Sequence, residues 1–164
     1  MNEFSVRNVR LREILETDLP LFFENQLNAT ANHMAAFTAK DPGDRTAFDA
    51  HWRKIMSDET VTNRTIVCGE TVIGNVLCFE QFGQTEISYW LGKDYWGKGI
   101  ATEALTQFLN HIQTRRPLYA RAAQDNLASI RVLQKCGFQI CGEDKGFSNA
   151  RGRDVEEFIF KKNE

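Results

Sequence analysis

The segment Leu91-Gly92-Lys93-Asp94-Tyr95-Trp96-Gly97-Lys98-Gly99-Ile100-Ala101-Thr102 joins two different periodicities. Before it, Thr85 to Leu91 reads as a strand. After it, Ile100, Ala101, Ala104, Leu105, Phe108, Leu109 and Ile112 fall on one face of a helix. A helix that opens directly after a strand aims unpaired backbone N–H groups and the positive end of its dipole at one spot, which suits an anion. Gly97 and Gly99 let the backbone approach a phosphate with no side chain between them. The same glycines also serve a plain tight turn between strand and helix.

Two familiar phosphate loops fit poorly. Gly92 to Lys98 satisfies G-x-x-x-x-G-K, but the hydroxyl residue that would ligate magnesium is replaced by Gly99. A dinucleotide fingerprint needs a third glycine where Thr102 stands.

Outward from this segment the pattern is mixed. Thr65-Ile66-Val67-Cys68, a Gly69-Glu70 turn and Thr71 to Leu77 read as a hairpin, and a second turn at Phe82-Gly83-Gln84 leads into Thr85 to Leu91. Antiparallel hairpins ahead of the glycines also argue against a P-loop, which follows a parallel strand. Further upstream, Val9 to Ile14 alternates as a half-buried strand, and Thr17-Asp18 offers an N-cap for a helix from Leu19 to Gln26. A second helix starts near Asp44, with Phe48, Trp52, Ile55 and Met56 at helical spacing. Between them, Leu27 to Lys40 has no clear period and is expected to be a loop or broken helix of the kind that lines a cleft. Downstream come a strand at Pro117 to Ala122, a helix at Asn126 to Cys136 ended by Gly137, and strands at Phe138 to Cys141 and Val155 to Phe160. The expected fold is α/β (α+β): one domain over 1–164, with a mixed, mostly antiparallel twisted sheet and helices on both faces.

Composition excludes several classes. At 164 residues with 42% hydrophobic and 26% charged side chains, the chain has the make-up of a globular domain and not of a disordered or collagen-like one. A formal charge of −2 argues against duplex nucleic acid as a partner. No apolar run reaches the length of a membrane span, so no membrane partner is expected. Met1-Asn2-Glu3-Phe4 lacks a basic region leading into an apolar stretch, so no secretory signal is expected and the protein is placed in the cytoplasm. Cys68, Cys78, Cys136 and Cys141 show no C-x-x-C spacing and read as reduced core thiols. No histidine or carboxylate cluster has metal-ligand spacing, so no metal is expected. The charge is uneven: residues 1–92 carry 8 basic and 13 acidic side chains, and residues 93–164 carry 12 and 9. Scatter explains this, and so does a basic half that meets an anionic ligand beside an acidic half that meets a cationic one.

Gly97-x-Gly99 after a strand, followed by Asn126-x-x-Ser129 on a helix ending in Lys135-Cys136-Gly137-Phe138, resembles the GCN5-related N-acetyltransferase (GNAT) superfamily. Tyr95 to Ala104, with Asn126-Leu127-Ala128-Ser129-Ile130-Arg131-Val132-Leu133, looks like the RimJ/RimL-like ribosomal-protein N-terminal acetyltransferase branch. The motifs span about residues 60–140, the expected cofactor core, and the helices at 17–57 would form the acceptor side. The resemblance implies an acetyl-CoA-dependent transferase that acetylates a primary amine directly, either a protein N-terminus or a small amine. A non-catalytic acyl-CoA-binding module of the same fold is the alternative. A homodimer is common in the family.

Carried over by position, the resemblance sets the pyrophosphate on the backbone of Gly97, Lys98, Gly99, Ile100, Ala101 and Thr102. It sets the pantetheine arm along Trp90 and Leu91, and gives Asn126 a cofactor contact. Asp94 departs from the family pattern, which has Gln or Arg there, and is expected to face solvent or cap the turn. Leu133 stands where many members carry a tyrosine general acid, so the leaving-group donor that the branch implies is Ser129. A helix serine bonded back to a carbonyl one turn earlier is the competing reading.

Acetyl transfer also needs a base, because an alkyl amine is protonated near neutral pH. Glu86 alternates with Ser88 and Trp90 on one face of the strand and is the candidate, against the reading of a surface ladder carboxylate. Glu103 is the second choice, although a helix dipole explains it as well. His33 and His51 fall on the acceptor side and read more simply as structural.

Overall fold

The computed structural model describes residues 5–164, so Met1 to Phe4, read above for a secretory signal, lie outside the described residues. Seven strands and five helices follow in the order β1 (Val9–Arg12), α1 (Leu19–Gln26), α2 (Ala29–Ala35), α3 (Arg45–Ser57), β2 (Thr62–Cys68), β3 (Thr71–Gln81), β4 (Gln84–Leu91), α4 (Ile100–His111), β5 (Leu118–Ala123), α5 (Leu127–Lys135), β6 (Gln139–Ser148) and β7 (Arg153–Lys162). The sheet order is β1-β2-β3-β4-β5-β7-β6. Each neighbouring pair is antiparallel except β4–β5, which is parallel and registers Glu86 against Tyr119. Glu86 and Tyr119 are the one registered pair between β4 and β5 among the described residues.

Alternation along the strands divides the core. Ile87 and Leu91 of β4 pack with Ile100, Leu105 and Phe108 of α4 and Leu133 of α5, and the half-buried Tyr89 packs against the same cluster. On the other face Phe22, Phe48 and Trp52 join Ile14, with Leu77 of β3 against them and the Phe22 and Trp52 rings 5.1 Å apart. Helices therefore cover both faces, as the sequence implies. Among the described residues no helix is long and apolar enough to cross a membrane.

Four local expectations are corrected. Leu27 to Lys40 holds a regular helix, α2, capped by Asn28, whose side chain accepts from Ala31 N at 2.9 Å. Seven residues are too few to print a 3.6 period. The β6–β7 ribbon is longer than its apolar residues suggest, because Glu143, Asp144 and Lys145 are held as strand by pairing to β7 and not by burial. Cys68, Cys78 and Cys136 are buried, but Cys141 is exposed on the edge strand β6.

The fourth correction concerns Asp18, whose side chain does not cap α1. Its buried carboxylate takes both Arg12 Nη atoms at 2.8 Å, Leu15 N at 2.9 Å and Thr65 Oγ1 at 2.7 Å. The bidentate pair holds the turn to β1 and the Thr65 hydroxyl ties it to β2, and β1 ends at Arg12 in place of Ile14.

β3 must come unusually near β4. A Cβ at Gly74 would lie 2.1 Å from the Trp90 carbonyl oxygen and 3.1 Å from Leu91 Cα, both backbone atoms. Gly74→Ala is expected to lower unfolding stability by about 2 kcal/mol through overpacking. Urea denaturation measures this, and an unchanged midpoint would show that β4 moves aside without strain.

Candidate active site

The strand-to-helix turn is built from backbone. Gly92 N donates to Ile73 O at 2.9 Å, a short 3-10 turn spans Lys93 to Tyr95, and Trp96 Nε1 donates to Leu91 O at 2.9 Å. Gly97 and Gly99 both sit at positive φ, 73° and 78°, where a Cβ is strained. Gly99 is the N-cap of α4 and brings no side chain to the first-turn N–H groups, which lack intrahelical partners. Lys98 and Asp94 are exposed, so Asp94 does face solvent. Ile100 is 1% exposed, which leaves only its backbone to line the turn.

Ser129 stands on the first turn of α5. Asn126 caps that helix, its Oδ1 accepting from Ser129 N at 3.3 Å, and its Nδ2 donates to Met34 O at 3.2 Å. One residue thereby ties α5 to α2. The Ser129 hydroxyl lies 3.0 Å from the Tyr89 phenol, which reaches it from β4. Burial pushes the Tyr89 phenol up, against a smaller opposing effect of the Ser129 hydrogen bond.

Glu86 is on the opposite face of β4, because Ile87, Tyr89 and Leu91 take the α4–α5 side. It is 4% exposed and lies 3.5 Å from Arg121 Nε of β5. Arg121 Nη1 also meets Asp144 at 2.8 Å and Glu157 at 2.7 Å, and the exposed Phe82 ring covers its guanidinium. Burial raises the Glu86 pKa above the usual carboxylate range; Arg121 pulls it down and Glu157 pushes it up. Glu86 Oε2 and Trp90 Nε1, both on this face, are buried without a hydrogen-bond partner in the protein.

The wall beyond is the segment 28–38, latched to the β6–β7 end. Ser148 Oγ donates to Ala36 O, Asn149 Nδ2 to Thr38 O at 3.0 Å and Arg151 Nε to His33 O at 2.8 Å. His33 and His51 are both exposed. The His51 ring lies edge-on to Trp52 at 6.3 Å, and partial burial followed by nearby Lys54 lowers its pKa.

Trp96 of the glycine turn bonds Leu91 O, and Ser129 meets both the Asn126 side chain and Tyr89, the neighbour of Trp90 on β4. The structure does not bring Ser129 to Glu86, which flank β4 from opposite faces. Tyr89 and Arg121 were missed in the sequence reading. Tyr89 alternates with Ile87 and Leu91 and so reads as core. Arg121 carried a usable signal, a charge inside the apolar run Leu118-Tyr119-Ala120-Arg121-Ala122-Ala123.

Comparison with known proteins bears on the family and the fold. Residues 8–139 match the acetyltransferase (GNAT) domain. An uncharacterized N-acetyltransferase p20 from Bacillus licheniformis is 32% identical over 114 residues, 64% of this chain, and the match spans 64% of that protein's length. A spermidine N-acetyltransferase from Vibrio cholerae, solved with CoA and spermine, superposes with a TM-score of 0.76 at 19% identity, over 95% of this chain and 96% of that one. Mycobacterium smegmatis RimJ, solved in complex with CoA-disulfide, superposes with a TM-score of 0.74 at 20% identity, over 93% of this chain and 81% of that one. At these identities the solved structures establish the fold, which is shared by both branches. With most of its length matched by the domain profile, the chain belongs to the GNAT acetyltransferase family.

Proposed function

We propose that the protein transfers the acetyl group of acetyl-CoA directly to a primary amine, a protein N-terminus or a small amine. The observation that carries this reading is that β4 and β5 are registered at a single pair, Glu86 against Tyr119, among the described residues. Near it stand a glycine turn with an uncapped helix start, a buried carboxylate on one face of β4 and a serine hydroxyl on the other. The N–H groups of Gly97 to Thr102 suit the pyrophosphate, with the exposed Lys98 adding a positive charge. The β4 backbone at Trp90 and Leu91, where Leu91 O already accepts from Trp96 Nε1, is the stretch along which the pantetheine arm would run. Asn126 acts here through the capping of α5 that sets Ser129.

In the reaction, Glu86 takes a proton from the ammonium, directly or through water. The neutral amine nitrogen attacks the thioester carbonyl, the carbon–sulfur bond breaks as Ser129 gives its proton to the departing sulfur, and the nitrogen's second proton returns through water to Ser129. A carboxylate whose pKa is raised by burial is better matched to taking a proton near neutral pH than an ordinary glutamate.

Incubation with acetyl-CoA and a panel of amines and peptides is expected to release free thiol, measured with a chromogenic disulfide. Ser129→Ala is expected to lower kcat about 100-fold while leaving CoA affinity by calorimetry unchanged. CoA binding with no turnover across the panel would favour an acyl-CoA-binding module. Full turnover by Ser129→Ala would remove Ser129 from the acid role. A homodimer is part of the same reading, and sedimentation equilibrium tests it.

A further inference from the structure

We propose that Tyr89 is the positioning residue that holds Ser129 in its donor orientation. The inference rests on the reading of Ser129 as the leaving-group acid.

A serine hydroxyl has one proton to give and can accept from two directions. The 3.0 Å contact between Tyr89 Oη and Ser129 Oγ holds one proton between the two oxygens, and either can supply it. If Ser129 donates to Tyr89, its proton is committed and none is left for the sulfur. If Tyr89 donates to Ser129, the serine proton is free for the sulfur. Negative charge growing on the sulfur selects the second arrangement, since a charge-assisted hydrogen bond is the stronger one.

The surroundings favour the same arrangement. The Tyr89 ring packs against the α4–α5 core and cannot swing away without opening it. Burial disfavours the tyrosinate, so the phenol stays protonated and remains a donor across the working pH range. Ser129 is restrained from its other end, because the Asn126 cap fixes its backbone N–H at 3.3 Å. Leu133, one turn along α5 from Ser129, is buried and carries no hydroxyl. The phenol that touches the acid therefore comes from the strand and not from the helix.

The proton count closes without Tyr89 losing its own. As the carbon–sulfur bond breaks, the Ser129 proton goes to sulfur, and the second proton of the attacking nitrogen passes through water to restore the Ser129 hydroxyl. Glu86 returns the amine proton to water. Tyr89 donates one hydrogen bond throughout.

The test is a double-mutant cycle on the full chain. Tyr89→Phe keeps the ring and removes the phenol oxygen. It is expected to lower kcat about 5- to 10-fold, the worth of one net hydrogen bond, with KM for acetyl-CoA unchanged. In a Ser129→Ala background the same substitution is expected to cause no further loss. Wild-type kcat in Tyr89→Phe, or an equal loss with and without Ser129, overturns the positioning role. Full activity in Ser129→Ala overturns the acid reading itself, so the two failures are distinct. A second measurement needs no loss of the phenol. With 3,5-difluorotyrosine at position 89, whose phenol ionises at lower pH, kcat is expected to fall on an alkaline limb at lower pH than in the unmodified protein. An unmoved pH profile overturns the proposal.

Discussion

Glu86→Gln is expected to lower kcat about 100-fold, at the lower end of what a positioned general base supplies. The amide keeps the volume and one acceptor oxygen but cannot take a proton at working pH. Arg121 keeps Asp144 at 2.8 Å and Glu157 at 2.7 Å, so the sheet around it retains its ion pairs and the loss reports on chemistry. The pH dependence supplies the sharper test. The carboxylate is the active form, so activity falls as pH drops and Glu86 takes up a proton. Burial raises the Glu86 pKa despite Arg121, so the wild-type acid limb is expected above the pH at which an ordinary glutamate titrates. In Glu86→Gln that limb disappears from kcat. A retained limb at reduced rate would assign the base to another carboxylate, with Glu103 the next candidate.

Asp18→Ala is expected to lower unfolding stability by about 3 kcal/mol, because it leaves Arg12, Thr65 and the Leu15 N–H facing a buried gap. Denaturant unfolding measures it. A loss under about 1 kcal/mol would mean that water screens the pair as it does on a surface. The sign with pH follows from the folded state. Burial alone would raise the Asp18 pKa, but the hydrogen bonds from Arg12, Leu15 and Thr65 outweigh it, and the net shift is downward. The group therefore stabilises the fold fully above the unfolded aspartate value of about 3.9, and this contribution is lost as pH falls through the lower folded value. Stability of the wild type is expected to drop at the acid end more steeply than that of Asp18→Ala.

The two predictions sample different kinds of legibility. Glu86 was identified by alternation with Ser88 and Trp90, which set its face but not its surroundings. Its ion pair with Arg121 joins β4 to β5, strands separated in the chain by α4 and brought together by a parallel register. Asp18 was misread for a similar reason. Its place before an apolar helix is that of a cap, yet Arg12 and the Thr65 hydroxyl from β2 compete for the carboxylate and win it with charge and burial. Ser129 was placed by motif, and the Asn126 cap that orients it lies in the same helix turn. Its partner Tyr89 is forty residues away in the chain.

What the sequence by itself determined is local. The hydrophobic periods switch from strand to helix at Gly97-Lys98-Gly99, the caps at Asp44 and Asn126 are i to i+3 contacts, and the order of elements other than α2 follows from such features. Such features are set by residues within a turn of one another, so they are written in consecutive positions. The tertiary structure alone decided which side chains meet across β4 and β5: Tyr89 with Ser129 on one face, Glu86 with Arg121 on the other. It also decided that the segment 28–38 is held against the β6–β7 end by Ser148, Asn149 and Arg151. Those contacts depend on strand register. Register is a collective outcome of packing both faces at once, and no single stretch of the chain encodes it.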